Sequence, residues 1–298
     1  MTSNAAAVAL AERAEPRSGF LLRVLSAVVF LPLLVLLARA GGYWFLGFAL
    51  LFIGLALREF FLMMEGKGLQ AHWKSGFLAA LLFPIGFFAR LRTQRTEEWH
   101  LAGLLTVLLI AMLLAELRRG ASKQTLVNTS ATLLGTLYLG WLGSHVVALR
   151  ELPEILGLPY ALGMSFALLP FFLAWTCDTA AYLVGRAWGR HRLAPNVSPG
   201  KSVEGAVGGL VAAILASAVA RVWFAPYLGL GQALVLGLAV GVFAQLGDLV
   251  ESLLKRDAET KESSTLIPGH GGVLDRFDSI LFAAPLVYYF LLWEVFGR

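Results

Sequence analysis

Three scarcities bound this chain. It contains one cysteine, Cys177, in 298 residues, which excludes an internal disulfide. Cys177 lies inside an apolar run, so packing is the role expected of it. Charged side chains make up only 14% of the chain, against roughly a quarter in soluble proteins. No stretch is polar enough for a separate soluble domain, and neither an internal repeat nor a low-complexity linker is evident. What replaces charge is apolar surface: 58% of residues are hydrophobic and the mean hydropathy is +0.74. Such a chain belongs in a bilayer. The net charge of +5 and the pI near 9.5 do not point to nucleic acid, because the basic residues sit in short loops between apolar runs and form no single surface.

The pattern is that of an all-α polytopic membrane protein with about nine transmembrane helices. Residues 1 to 19 read as a loose cytoplasmic tail. The first apolar run, 24 to 38, ends in Ala38-Arg39-Ala40, which imitates a signal-peptide cleavage site. A retained span is expected instead, since Phe20, Leu21 and Leu22 lengthen the run past Arg23, whose side chain can snorkel. Further runs occupy about 43 to 64, 76 to 90, 100 to 115, 126 to 148, 160 to 185, 204 to 224, 229 to 247 and 277 to 297. Residues 20 to 150 form the N-terminal helices, and 151 to 298 a C-terminal membrane region with cytoplasmic loops at 186 to 203 and 248 to 276.

With nine spans, seventeen of the 24 Lys and Arg residues fall on one side and seven on the other. The excess side is the cytoplasmic one. That places the N-terminus and both polar loops in the cytoplasm, at the inner (plasma) membrane.

Two polar constellations interrupt the apolar sequence. In the first, Asp178 stands inside a run where a carboxylate costs roughly 2.5 to 3.5 kcal/mol at the bilayer centre, so it should face a polar cavity or a cation. Gly185, Arg186, Gly189, Arg190, His191 and Arg192 follow, then Ser198-Pro199-Gly200-Lys201-Ser202. The latter is not a P-loop, because Pro195 stands where the first Gly is required. Ser202 is expected to cap a helix opening at Val203, whose N-terminus beside Lys201 favours an anion.

In the second constellation, Asp248, Glu251 and Lys255 share one helix face at i, i+3 and i+7. Lys261, Ser263, Ser264, Pro268 and the turn Gly269-His270-Gly271-Gly272 come next, and Asp275 and Asp278 lead into the last run. Separated carboxylates brought together by a returning loop suit a hard cation whose coordination phosphates complete.

Ser252, Lys255, Arg256, Lys261, Pro268, His270-Gly271-Gly272, Asp275-Arg276 and Asp278 resemble, at matching spacing, the signature of the phosphatidate cytidylyltransferases, or CDP-diacylglycerol synthases. Asp178 to Tyr182, Gly185-Arg186, Gly189, Ser198 to Ser202 and Glu204-Gly205 resemble the same family's upstream block. The resemblance covers about 174 to 279; one departure is Glu262, where the family has Asp.

The resemblance implies CTP and phosphatidate as substrates, CDP-diacylglycerol and pyrophosphate as products, and Mg2+ with room for a second cation. Membrane lipid is the surrounding partner, and a homodimer is left open. On this reading Asp248 and Asp275 are metal ligands, with Asp278 and Asp178 as further or alternative ligands. Lys255, Arg256, Lys261 and Arg276 hold phosphate charge, as do Ser198, Lys201 and Ser202, while Gly271 and Gly272 let the backbone approach substrate. His270 donates a hydrogen bond or shapes the turn. Competing readings are a CTP-dependent kinase or transferase acting on another lipid or polyprenyl phosphate, and a secondary transporter, which would need inverted repeats.

Overall fold

The computed structural model describes residues 17–93, 99–120, 124–264, 266 and 271–297. The chain is built of helices α1 (Arg17–Ala40), α2 (Gly42–Gly66), α3 (Trp73–Thr93), α4 (Trp99–Arg119), α5 (Thr125–Gly135), α6 (Leu142–Leu156), α7 (Leu162–Trp188), α8 (Val203–Trp223), α9 (Leu230–Asp257) and α10 (Leu274–Phe290). A π-helical segment, Thr136–Trp141, fuses α5 to α6, and a second, Leu291–Val295, extends α10. Nine helical rods thus lie among the described residues, at the positions of the nine apolar runs. Seven of them are long and apolar enough to cross a membrane, and Val28–Ala40 of α1 is a shorter apolar helix.

Two short strands depart from the all-helical expectation. β1 (Arg192–Ala194) and β2 (Ser198–Ser202) pair antiparallel, with Arg192 opposite Ser202. Pairing satisfies backbone groups that the 186 to 203 loop would otherwise leave open. Glu204 fastens the hairpin, accepting from the backbone N–H of Arg190 (3.0 Å) and His191 (3.2 Å) and pairing with His191 Nδ1 at 2.6 Å. The second polar stretch is also more ordered than a loop, because α9 continues unbroken through Asp248 to Asp257.

Small residues decide how closely α7, α8 and α9 pack. A Cβ on Gly205 would stand 2.6 Å from the Ala181 carbonyl, and one on Gly209 2.8 Å from that of Cys177. Their i, i+4 spacing on α8 is the small-xxx-small pattern by which membrane helices approach without a hydrophobic driving force. Gly237 of α9 plays the same part, since its Cβ would meet the Ile214 Cα of α8 at 2.6 Å. Cys177 is fully buried here, as its expected packing role requires.

The two ends of the bundle are held differently. At one, Arg150 is 1% exposed and donates to the carbonyls of Ala38 (2.6 Å) and Tyr160 (3.3 Å), with the Tyr160 ring 4.1 Å beneath it. Its neighbour Glu151 accepts from Tyr160 Oη at 2.7 Å and Arg92 Nε at 3.2 Å. This joins the α1–α2 turn to the α6–α7 turn. At the other end, Lys67, which caps α2, pairs with Asp257 at the close of α9. Here the C-terminal halves of α7 and α9 meet the N-termini of α8 and α10, and the polar constellations converge.

Gly209→Val should lower the melting temperature in detergent, by overpacking worth about 1 to 3 kcal/mol. Gly231→Ala, with nothing within 4 Å of its Cβ, should leave it unchanged or raise it. Equal melting of the two variants would contradict the close α7–α8 contact.

Candidate active site

The α8 N-terminus is built as expected: Ser202 in extended conformation caps the helix, its Oγ accepting from Gly205 N–H at 3.1 Å. Beside it lies a cavity of about 510 Å³. Its polar lining comes from α7 (Asp178, Tyr182, Arg186), the hairpin (Ser198, Lys201, Ser202) and α9 (Gln245, Asp248). Lys201 Nζ reaches Asp248 Oδ2 at 2.6 Å and Arg186 donates to Tyr182 Oη at 3.1 Å. The cavity therefore brings two cationic side chains and a helix N-terminus together with two carboxylates.

Deeper in, Asp248, Glu251 and Asp278 each present an oxygen, and these three lie within 4.8 Å of one another. The one-turn spacing on α9 stacks Asp248 over Glu251, and α10 brings Asp278 against them. Asp178 joins through Ser279, whose Oγ is 2.9 Å from Asp178 Oδ2 and 3.2 Å from Asp278 Oδ1. Two carboxylates about 4.8 Å apart repel by about 3 kcal/mol at an effective dielectric constant near 20, so the trio calls for a cation or protons.

Asp275, expected as a ligand, lies outside this closest trio and is hydrogen-bonded to the returning loop. Its carboxylate is spent on the returning loop: Oδ1 meets Lys255 Nζ at 2.7 Å, and Oδ2 accepts from Gly272 N–H (2.7 Å), Ser263 N–H (3.0 Å) and Ser263 Oγ (2.9 Å). Asp275 lies one turn before Asp278, at the helix mouth where orphan N–H groups of the loop converge. Glu251 takes its place in the trio, and Lys255 bridges the two, standing 2.7 Å from Glu251 Oε2. Gly271, at φ +75°, lets the loop turn over Asp275, whose Oδ2 a Cβ there would meet at 2.7 Å, and a Cβ on Gly272 would collide with Ser263 Oγ and with Glu59 Oε2.

The remaining predicted residues divide. Lys255 and Lys201 face the carboxylates directly, whereas Arg256 donates to the Val197 carbonyl at 3.2 Å and holds the hairpin. Lys261, Glu262 and Arg276 are exposed on the loop and the first turn of α10. His270, with Pro268 and Gly269, lies outside the described residues.

Two groups carry no signal in the motifs. Glu59 of α2, 1% exposed, accepts from both serines of the returning loop and from the N–H groups that open α10. The charged pair Arg58-Glu59 inside an apolar run was the only trace of it in sequence. Tyr138, in the first π-helical segment, is 5% exposed and has a hydroxyl without a hydrogen-bond partner among the described residues.

These observations test the fit of Mg2+. The donors are all oxygen, as a hard cation prefers. Glu251 Oε1 is buried without a hydrogen-bond partner among the described residues, as is the Tyr138 hydroxyl. Asp178, Asp248, Glu251, Asp275 and Asp278 face only Lys201 and Lys255 as close cationic partners among the ion pairs described. The residues present fit such an ion.

The cytidylyltransferase family model matches residues 21–293. This chain belongs to that family. The match extends across almost the whole chain and so includes α2, which supplies Glu59, as well as the two polar constellations. A phosphatidate cytidylyltransferase of Synechocystis sp. is 36% identical over 291 residues, covering 91% of this chain and 96% of the relative. Enzymes of the same name from Staphylococcus saprophyticus and Staphylococcus epidermidis are 32% and 30% identical over 273 residues, covering 90% of this chain and 96% of each relative. For a cytidylyltransferase, which handles a nucleoside triphosphate, the cation-lined cavity beside a carboxylate cluster is the chemically apt arrangement.

Titrating the detergent-purified protein with Mg2+ should raise its melting temperature. Glu251→Gln should remove at least half of that rise, whereas Asp275→Asn should retain most of it. The reverse order would favour Asp275 over Glu251 as a ligand.

Proposed function

We propose that this chain is a phosphatidate cytidylyltransferase, transferring the cytidylyl group of CTP to phosphatidate to give CDP-diacylglycerol and pyrophosphate. The observation that carries the reading is the carboxylate trio, reaching the Lys201-lined cavity through Asp248, in a chain matched along its length by enzymes of that name. A phosphate oxygen of phosphatidate attacks the α-phosphorus of CTP; the new P–O bond forms as the bond from that phosphorus to the bridging oxygen of the β-phosphate breaks, and pyrophosphate leaves with the electron pair. The nucleophile is already anionic, so no strong general base is needed. Catalysis rests on positioning and charge neutralisation.

The residues have separable parts in this reading. Lys201, Arg186 and the α8 N-terminus hold phosphate in the cavity, and Lys255 carries positive charge between Glu251 and Asp275. Asp248, Glu251 and Asp278 would hold Mg2+, with Asp178 tied to them through Ser279. Bound there, the ion would supply charge neutralisation for the phosphates, and the carboxylate excess leaves room for a second cation. Nine spans, a cytoplasmic N-terminus and a site facing the cytoplasm of the plasma membrane complete the proposal, supported by the seventeen-to-seven distribution of Lys and Arg. CTP then arrives from the cytoplasm while phosphatidate presents its headgroup at the same surface.

Glu262 keeps a second reading in view, that of a family member acting on another lipid phosphate. It is exposed, so the extra methylene relative to Asp meets no packing constraint. Glu262→Asp should therefore leave turnover within about threefold, well below the change expected when a positioned catalytic group moves; a larger fall would favour the retuned site.

The test of the function is pyrophosphate release by the purified protein given CTP, phosphatidate and Mg2+. Release should need both substrates and stop on adding EDTA. CDP in place of pyrophosphate would indicate a kinase, and no release with phosphatidate but release with another lipid phosphate would indicate the second reading.

A further inference from the structure

We infer that Glu59 is a positioning residue for the returning loop, so that the N-terminal half of the chain sets the geometry of a site whose motifs all lie in the C-terminal half. The inference rests on the reading of the chain as a phosphatidate cytidylyltransferase with its site at this carboxylate cluster. The geometry is specific. Glu59 Oε1 accepts from Ser264 Oγ at 2.6 Å and Val273 N–H at 2.9 Å; Oε2 accepts from Ser263 Oγ at 3.1 Å and Leu274 N–H at 2.8 Å. Each oxygen thus has one serine hydroxyl of the loop and one backbone N–H from its end within reach, the single Ser263 hydroxyl proton being shared with Asp275. One buried carboxylate draws the two ends together.

The physical need is plain. The helix α10 opens at Val273, which has no side-chain oxygen to cap it, so its orphan N–H groups require an acceptor from elsewhere. A carboxylate beside a helix N-terminus also gains from the aligned peptide dipoles. Through Ser263 the hold passes to Asp275, since Ser263 Oγ lies within hydrogen-bond distance of both carboxylates and its N–H donates to Asp275. From Asp275 it reaches Lys255, and from Lys255 the Glu251 of the trio. Glu59 therefore acts on the reacting groups only through others.

Gln keeps the size of Glu59 but turns one acceptor oxygen into a donor NH2, which would then face a hydroxyl and a backbone N–H. One N–H at the start of α10 would lose its partner. In Glu59→Gln we expect kcat to fall by about 100-fold with the KM for CTP changed by less than about threefold, the pattern of groups misplaced in the transition state. Hydrogen exchange should speed up at 259–266 and 271–276 while α7 and α8 keep their protection. Glu59→Asp, which retains the carboxylate, should recover part of the rate. Ser264→Ala, which removes one of the four donors, should give a smaller fall and serves if Glu59→Gln does not fold.

Near-normal kcat in Glu59→Gln, unchanged exchange in the loop, or loss of protection spread equally over α7 and α8 would each overturn the inference. If the wild-type protein releases no pyrophosphate, the functional reading fails, while the exchange comparison still decides whether Glu59 holds the loop.

Discussion

Negative charge gathered at one end of an apolar bundle is the constraint on which this structure depends. Asp178, Asp248, Glu251, Asp275 and Asp278 come from three helices and converge with Lys201 and Lys255 between them. Like charges at such spacing do not collapse together unaided, because each pair costs free energy and burial removes the water that would screen it. The site is held by what surrounds it. Ser279 bridges two carboxylates, Lys255 bridges two more, and the glycines of α8 and α9 allow the helices to come close enough for these contacts to form.

The division of labour among the carboxylates follows from the same constraint. Glu251 and Asp275 both contact Lys255 and lie within hydrogen-bond reach of each other, but Glu251 has no backbone or serine donor among the described residues. Asp275 saturates its oxygens with backbone and serine donors and so shapes the loop, whereas the trio retains the free acceptor capacity a cation needs. Proximity of the two roles gives the loop and the cluster one common lysine. A movement of the loop would then change the charge felt at the trio.

Much of this was legible in the residues themselves. The i, i+3 spacings of Asp248 with Glu251 and of Asp275 with Asp278 announced helix faces, and both faces are present. Ser202 announced a cap and is one. Asp178, costly in an apolar run, found its polar surroundings in Ser279 and the cavity. The choice between Glu251 and Asp275 was not legible, because spacing along one helix says which residues share a face but not which neighbouring chain segment supplies donors to each. Tyr138 and Glu59 were less visible still. Each lies in an apolar run with no motif around it, and each acquires its meaning from contacts with residues more than 100 positions away.

The sequence by itself determined the medium and the helical class, and pointed to the chemistry: scarce charge demands a bilayer, the bilayer demands backbone satisfied within helices, and charge gathered in two polar stretches marks a site. Only the tertiary structure decided which carboxylates cluster and which one ties the loop. The physical reason is that hydrogen-bond saturation is a property of assembled neighbours. A carboxylate's role depends on how many donors reach it, and the donors to Glu59 and Asp275 are brought there by the packing of α2, α9 and α10.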